Sequence, residues 1–585
     1  MNIFKDLKNK LGQIILKIAS ESKVNLEQKK LDIFTVEPCK DKKHGDLASN
    51  LAMIFAKDFQ KKPYELAADI IKLLENDESI ELAQIAGAGF INIVLKKQIW
   101  YKFLEKIISK QEIELPNLGK SEKINLEYAS PNPTGPMHVG HTRGAIYGDV
   151  LANLLIKTGF DVTKEYYIND AGSQIITLVK SAYLRYLESC GQKIEITEGL
   201  YPGEYLIDIG QKIKEKYQES LINKSEEEYI DLIRDFVVDE MMNMIKDDLF
   251  HLGIVHDVFS SEKKKLHDSG KIDDAIKMLQ DKGLIYQGTL EPPKNRELSE
   301  EYSNKEQTLF KSTLFGDDTD RVVRKDDGSP TYLAGDIAYS LDKFERGFNK
   351  MILPLGFDHA GYVKRLTGVV NAVSNNKAQV KVILCQMVKF LKDGHPLKMS
   401  KRSGNFITAR QVVDEVGSDV LRFTMLTRKN DAPFNFDLAK MLEQSKDNPI
   451  FYIQYAYARC SSIIRNLKQE NPQLAQEIAT NLSKDVLNRL DNSIELDLIK
   501  KLANYERVVE MAVDNFEPHR IAFYLQELAA DFHSFWNEGK SNDNLRFIVE
   551  NDDNLTKARL FLIKSVIKII ASGLSIFNIK PMAEM

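Results

Sequence analysis

Two imidazoles and two ammonium groups carry the clearest chemistry in this chain. His138 and His141 flank Val139 and Gly140, at the end of the run Glu127-Tyr-Ala-Ser-Pro-Asn-Pro-Thr-Gly-Pro-Met137. Far downstream, Lys398-Met-Ser-Lys401-Arg402 sets three cations close together between Gly394 and Gly404. Imidazoles so spaced can hydrogen-bond phosphate oxygens, and lysines can neutralise a departing phosphate. Gly140 would let a nucleotide lie close to the backbone. The ordinary explanations are loop or core histidines and a solvated basic loop. A metal pair is another, but no Cys or His cluster lies nearby to complete it.

Groups with that task need rigid elements behind them. Ile124, Leu126 and Tyr128 alternate with polar or small residues, which predicts a half-buried strand. Pro131, Pro133, Gly135 and Pro136 then forbid helix and sheet alike. From about His141 the apolar spacing turns helical, and a second strand is expected within 158–169. A turn that ends a strand and opens a helix leaves free N–H groups at the positive pole of the helix dipole, a ready anion site. The βαβ unit predicts a Rossmann-like parallel sheet, with ligands at the carboxyl ends of its strands. Met351–Gly356 reads as a buried strand leaving into a loop that carries Asp358 and His359. Tyr332 and Asp336 are four apart at the start of an expected helix. Residues 381–389 read as a further strand before the lysine loop. The charged stretch from about 190 to 300 reads as a solvated helical insertion without visible chemistry.

At 585 residues the chain should divide into about three or four domains. Its 43% apolar and 28% charged composition is that of a soluble globular protein. A net charge of −5 gives no bulk support for nucleic-acid binding, so any RNA contact needs local patches. Cys39, Cys190, Cys385 and Cys460 are scattered, which suits a reducing compartment and offers neither a disulfide framework nor a zinc site. No apolar run approaches the roughly 20 residues of a membrane span. Lys5, Lys8, Lys10 and Lys17 interrupt the amphipathic first helix, and Asp6 argues against a transit peptide. A cytoplasmic protein without a membrane partner is expected.

The expected architecture is α/β, in three parts. Residues 1–114 form an α/β domain: a helix on Ile3, Phe4, Leu7, Leu11, Ile14, Ile15 and Ile18, a strand at 31–36, a Gly-Asp turn entering a helix at 43–57, a helix from Pro63, and a Gly-rich bend into the strand of Phe90 and Asn92. Residues 121–444 form the Rossmann-like domain with its insertion. Residues 445–585 read as an all-α bundle, in which Tyr452, Tyr455 and Arg459 share a helix face as a stacking and phosphate surface; burial of the two tyrosines in the core is the alternative.

His138-Val-Gly-His141 resembles the "HIGH" motif of class I aminoacyl-tRNA synthetases. Lys398-Met-Ser-Lys401 resembles their second signature, in the correct order, and two matches weigh far more than one. The flanking Ser130-Pro-Asn-Pro-Thr-Gly-Pro-Met137 is similar to the arginyl-tRNA synthetase version. Gly45-Asp-Leu-Ala-Ser-Asn50, Gly87-Ala-Gly-Phe-Ile-Asn92 and the terminal Pro581-Met-Ala-Glu-Met585 resemble that family as well. The resemblance implies ATP-dependent activation of L-arginine, dependent on tRNA(Arg), then transfer to the 2′-hydroxyl of the terminal adenosine. It implies His138, His141, Lys398 and Lys401 as catalytic residues. ATP would lie along Pro131, Asn132, Pro133, Thr134, Gly135, Pro136, Met137, His138, Val139, Gly140 and His141, and against Lys398, Met399, Ser400 and Lys401. Mg²⁺ would enter with ATP, and no protein-bound metal is expected. Glu127 and Asp336 would read the guanidinium, Tyr332 would line the pocket, Ser130 and Asn132 would hold the α-amino and carboxylate ends, and Asp358 and His359 would lie beside substrate and ribose. Phe90 and Asn92 would meet the tRNA elbow; Tyr452, Tyr455, Arg459 and Met585 would belong to an anticodon-binding domain. The partners expected are arginine, ATP and tRNA(Arg), around a monomer.

Buried carboxylates left unpaired by any other substrate discriminate without editing, consistent with the lack of room for an editing domain between the motifs. Two rivals stay open at this point: a non-catalytic tRNA-binding relative, opposed by retention of all four catalytic residues, and a nucleotidyltransferase acting on a small metabolite, opposed by the two end domains.

Overall fold

The computed structural model describes residues 2–290, 305–392, 394–396, 407–443, 445, 448–480 and 484–585. Lys398, Met399, Ser400 and Lys401 lie outside the described residues. The chain forms two compact units, Met1–Pro116 together with Pro449–Met585, and Asn117–Asn448.

The first unit joins both ends of the chain. Helix α1 (Ile3–Glu21) is started by Asn2, whose side chain accepts from the Lys5 amide, and it buries Ile3, Phe4, Leu7, Leu11, Ile15 and Ile18 along one face. The antiparallel sheet that follows has the order β1 (Val36–Pro38), β2 (Leu47–Ser49), β4 (Phe90–Leu95), β3 (Ile80–Ala86). Two expectations change here. Residues Lys30–Ile33 make one helical turn and the strand is only Val36–Pro38, because Ile33 faces solvent and only Phe34 and Val36 of the stretch drop into the core. The Gly45-Asp46 turn enters strand β2 before the helix Leu51–Phe55, as Leu47–Ser49 finds a partner in β4. Helix α2 (Pro63–Leu74) carries proline at its first turn as expected, and α3 (Lys97–Ser109) closes the domain. The C-terminal helices of this unit pack onto it: Asp46 pairs with Lys500 at 2.6 Å, Lys42 with Asp497 at 2.7 Å, and Lys568 donates to the carbonyls of Ile107 and Ile108 at the end of α3.

Among the described residues of the second unit, five parallel strands run in the order β12, β11, β5, β6, β7. They are β5 (Lys123–Glu127), β6 (Asp161–Ile168), β7 (Val258–Ser261), β11 (Lys350–Gly356) and β12 (Gln379–Cys385). Chain order reverses at β5, so the topological switch point lies between β5 and β11, and their carboxyl ends lead into residues 128–141 and 357–362. Strand β5 is central and buried on both faces: Ile124, Asn125 and Leu126 are all inaccessible, rather than alternating as a half-buried strand would. The βα unit is completed by α4 (Thr142–Lys157).

The 190–300 stretch is not merely a helical insertion. After α5 (Ser173–Ser189), α6 (Tyr205–Tyr217) and α7 (Glu226–His251), it delivers the edge strand β7 to the central sheet. Helix α7 is secured by a capping box between Ser225 and Glu228, with Glu226, Glu227 and Glu228 at its positive pole. Next come α8 (Lys271–Asp281) and a small antiparallel sheet of β8 (Ile285–Gly288), β9 (Gln307–Phe310) and β10 (Arg321–Arg324). It leads into α9 (Tyr332–Glu345). The strand expected at 381–389 divides at Gln386, whose amide bonds to the Asn430 carbonyl, and a second short strand starts at Val388.

Among its described residues the C-terminal segment carries helices and no strand, with α10 (Pro449–Glu470), α11 (Ser493–Ala503), α12 (Tyr505–Asp514), α13 (His519–Ser541) and α14 (Asp553–Ile576) its long members.

Candidate active site

The loop after β5 is held at nearly every residue. Tyr128 leaves the strand with its hydroxyl donating to Asp149 at 3.1 Å. Burial alone would raise the Asp149 pKa, but Arg422 at 2.6 Å and Lys164 at 3.0 Å outweigh it and hold the carboxyl below the usual range. Ala129 adopts φ +52°, a left-handed conformation that strains a residue with a Cβ. Ser130 Oγ accepts from the Tyr167 amide at 3.0 Å, and the Pro131 carbonyl accepts from the Tyr166 hydroxyl at 2.6 Å. Asn132 Nδ2 donates to Gln174 at 2.9 Å. The Thr134 carbonyl accepts from Tyr205 of α6 at 2.7 Å, so close that a Cβ on Gly135 would stand 2.8 Å from that hydroxyl.

Met137 is gripped at both ends of its backbone: its amide donates to Asp248 of α7 at 2.8 Å, and its carbonyl accepts from Ala409 at 2.7 Å. The Val139 amide donates to the Ile407 carbonyl at 3.0 Å. Pro133 is buried, Pro136 half-buried, and the half-buried rings of His138 and His141 stack with centroids 3.6 Å apart. The space a side chain at 140 would fill is taken by the His138 ring, with Cε1 2.8 Å from that Cβ position. Gly140 therefore makes room for the imidazole pair in this state, a different reason from backbone access to a nucleotide.

Beside the loop lies a cluster of carboxylates. Glu127 ends β5 and is paired with the buried Lys343 of α9. Asp336, one helix turn into α9, has its pKa pushed up to about 8 by burial and by the nearby charges of Glu127 and Glu262. Burial likewise raises the Glu262 pKa, although His267 at 3.5 Å and a hydrogen bond with Tyr167 oppose it. Arg365 and Lys343 act on Asp336 in the opposite sense without restoring it. The pocket thus gathers more carboxyl groups than its own cations can hold ionised, and a bound cation would favour their charged form. Tyr332 is 70% exposed, and Asp358 and His359 are exposed side by side, 3.6 Å apart.

Glu262, Tyr167, Lys343, Tyr205 and Asp248 were not singled out by sequence. Glu262 had a findable signal: Val-Phe-Ser-Ser after the Gly253 turn is a short strand, and the residue after a parallel strand faces the ligand crevice.

In the first unit, Phe90 is exposed and Asn92 half-buried, alternating on β4 with the buried Ile91 and Ile93. Arg459 donates to the Tyr455 hydroxyl at 2.7 Å and to His533 Nδ1 at 3.0 Å, with its guanidinium 4.0 Å from the Tyr455 ring centroid. His533 donates through Nε2 to the Tyr452 carbonyl at 3.2 Å, and burial pushes its pKa down to about 4, so it is neutral. Neither tyrosine is a core residue: Tyr452 is half-buried and Tyr455 exposed, as is Met585. Among the described residues, no group of three or more His, Cys, Asp or Glu is placed to hold a metal, and no helix is long and apolar enough to cross a membrane.

The parallel sheet, with a histidine pair on the loop leaving its central strand at the switch point, is the arrangement expected of a class I synthetase's nucleotide site. Comparison with known proteins carries this further. Residues 104–433 match the family described as "tRNA synthetases class I (R), catalytic domain", residues 2–95 the "Arginyl tRNA synthetase N terminal domain", and residues 453–585 the "DALR anticodon binding domain". The arginine–tRNA ligase of Wolbachia pipientis wMel is 50% identical over 586 residues, covering all of both chains, and that of Bartonella henselae is 50% identical over 591 residues with the same coverage. The Thermus thermophilus arginyl-tRNA synthetase structure shares the fold, with a TM-score of 0.73 at 18% identity over the full length of both chains. This chain belongs to the arginyl-tRNA synthetase family.

Proposed function

We propose that the chain is an arginine–tRNA ligase acting through the carboxylate pocket and the histidine loop. The carrying observation is the cluster of Glu127, Asp336 and Glu262 with too few cations to hold all three carboxyls ionised, which suits a planar, permanently charged guanidinium. Lys343 already neutralises Glu127, so Asp336 and Glu262 (the latter also touched by His267 and Tyr167) read the substrate side chain, with Glu127 orienting Lys343 and Tyr332 closing over the pocket. Ser130 and Asn132 hold the α-amino and carboxylate ends, and Asp358 and His359 lie against substrate and ribose.

The arginine carboxylate is already ionised, so its oxygen attacks the α-phosphorus of ATP without a general base. The new P–O bond forms as the bond to the bridging oxygen breaks, and pyrophosphate leaves. Charge rises on the phosphate oxygens, and His138 and His141 bind them there. Lys398 and Lys401, on the loop outside the described residues, take the leaving pyrophosphate, with Mg²⁺ bound to the phosphates as part of the substrate. The 2′-hydroxyl of the terminal tRNA adenosine then attacks the adenylate carbonyl and AMP departs. Residues 1–114 take the tRNA elbow through Phe90 and Asn92. Residues 445–585 take the anticodon through Tyr452, Tyr455, Arg459 and Met585. The protein acts as a cytoplasmic monomer, with activation requiring tRNA.

The test is ATP–pyrophosphate exchange across the twenty amino acids, with and without tRNA. Exchange with arginine alone among them, dependent on tRNA, is expected; exchange with another amino acid and not arginine would overturn the reading.

A further inference from the structure

Asp248 occupies an unfavourable position. It lies in the last turn of α7, at the negative pole of the helix dipole, beside Asp247, and is only 6% exposed. Burial and Asp247 push its pKa up to about 6 even though the Met137 amide favours the charged form. Arg410, reaching over from the helix Ala409–Val416, is engaged by Asp247 at 3.1 Å and by His251 at 2.9 Å. What Asp248 does is accept the Met137 amide at 2.8 Å, one peptide before His138. The same Met137 has a fully buried side chain and a carbonyl fixed by Ala409. A buried acid kept at such a cost marks a functional constraint more often than a stabilising one.

We propose that Asp248 is a positioning residue for the phosphate-binding loop: by holding the Met137 amide it fixes the peptide that leads into His138 and so aims that imidazole at the phosphate. This makes α7, a helix of the charged insertion, part of the machinery of the reaction. It rests on the reading of His138 as a phosphate-binding group.

The test uses the full-length protein with tRNA and arginine, following exchange as a function of ATP. Asp248→Ala is expected to lower kcat/KM for ATP by about tenfold or more while leaving the arginine KM within about twofold, since only the ATP end of the loop is mis-aimed. Asp248→Asn, whose amide oxygen can still accept from Met137, is expected to recover to within about threefold of the parent. Adding Asp248→Ala to His138→Gln should cost little beyond His138→Gln alone, because both act through one imidazole. The inference is overturned if Asp248→Ala lowers only the melting temperature, if Asp248→Asn is as impaired as Asp248→Ala, or if the double variant is fully additive. If His138→Gln itself leaves exchange unchanged, the reading of the loop fails instead.

Discussion

The histidine loop and the carboxylate pocket sit side by side at the carboxyl end of one sheet and are built on opposite principles. The loop is satisfied before any substrate arrives: the Ser130 hydroxyl, the Pro131, Thr134 and Met137 carbonyls and the Met137 and Val139 amides all have partners. Its task is geometric, and its rigidity comes from hydrogen bonds to β6, α5, α6, α7 and residues 407–409. The pocket is left unsatisfied. Asp336 holds its proton at pH 7 because burial and the charges of Glu127 and Glu262 oppose its ionisation, and burial pushes the Glu262 pKa up as well. Preorganisation serves the transition state, where charge appears on phosphate; electrostatic want serves recognition, where the substrate brings the charge.

If that division holds, the largest loss should come from the loop and should fall on rate. His141→Ala removes a donor to the phosphate oxygens, and about 10²–10³ in kcat for exchange is expected, by analogy with an oxyanion donor. The arginine KM should stay close to that of the parent. A variant that instead raised the arginine KM with kcat intact would erase the distinction between the two regions.

Asp336→Asn should show the converse. Removing one carboxylate of a planar, desolvated pair costs a charge-assisted hydrogen bond of about 1.5–3 kcal/mol, or roughly 10- to 150-fold in arginine KM. The kcat at saturating arginine should change much less. Loss of kcat equal to the loss in kcat/KM would mean that the pocket acts in the transition state as the loop does.

The pH dependence of arginine binding separates the regions without any mutation. With the Asp336 pKa near 8 in the free site, the carboxyl is protonated at pH 7 and must release its proton to pair with the guanidinium. Affinity should therefore rise with pH between the lower value of the bound site and about 8, by at most about tenfold per unit. Calorimetry at pH 7 in buffers of different ionisation enthalpy should find about one proton released. The stability sign follows from the same shift. A carboxyl raised above its unfolded value contributes stability that is complete below about pH 4 and lost as pH rises through about 8. The melting temperature of the parent relative to Asp336→Asn should decline over that window, and saturating arginine should oppose the decline. An arginine affinity flat from pH 6 to 9 would remove the electrostatic account of the pocket.

The two regions also differ in how well they can be read from residues. The loop was legible because its determinants are local: a strand, four breakers, a histidine pair and a helix follow one another within twenty-odd positions, and each leaves its own mark. Four strands of the sheet followed from the same βα logic, whereas β7 did not. The pocket was legible only in halves. Glu127 and Asp336 were named through family likeness, whereas Glu262 was hidden inside a stretch whose charge suggested solvent. Its role needs β7 to join the sheet, a long-range pairing that no local pattern records. Lys343 reverses the sense of Glu127 for the same reason: a buried ammonium on the far turns of α9 meets the end of β5 across more than two hundred residues. The antiparallel partner that turns Leu47–Ser49 into a strand was invisible too, because three residues carry too little periodicity to declare themselves. Lys42 and Lys500 tie the first domain to the last, and contacts between chain ends leave no trace in either end alone.

The smallest effect tests whether the loop's rigidity is shared out among many struts. Tyr205→Phe removes the hydroxyl that donates to the Thr134 carbonyl and touches neither the histidines nor the carboxylates. One neutral hydrogen bond contributes about 1 kcal/mol net, so a fall of roughly fivefold in kcat/KM for ATP is expected if all of it bears on loop geometry. Gly135 sets a further limit on what can move there. A Cβ at that position would press within 2.8 Å of the same hydroxyl and 2.9 Å of the ring carbon that carries it, so losing the oxygen alone makes no room for a side chain. Gly135→Ala in the Tyr205→Phe background would still set its Cβ 2.9 Å from the ring Cζ and would strain a residue held at φ +153°. The double variant should therefore be worse than Tyr205→Phe alone, with the arginine KM unmoved in both. A change in arginine KM would show that the loop and the pocket share a mechanical link, and their separation into a geometric and an electrostatic half would have to be given up.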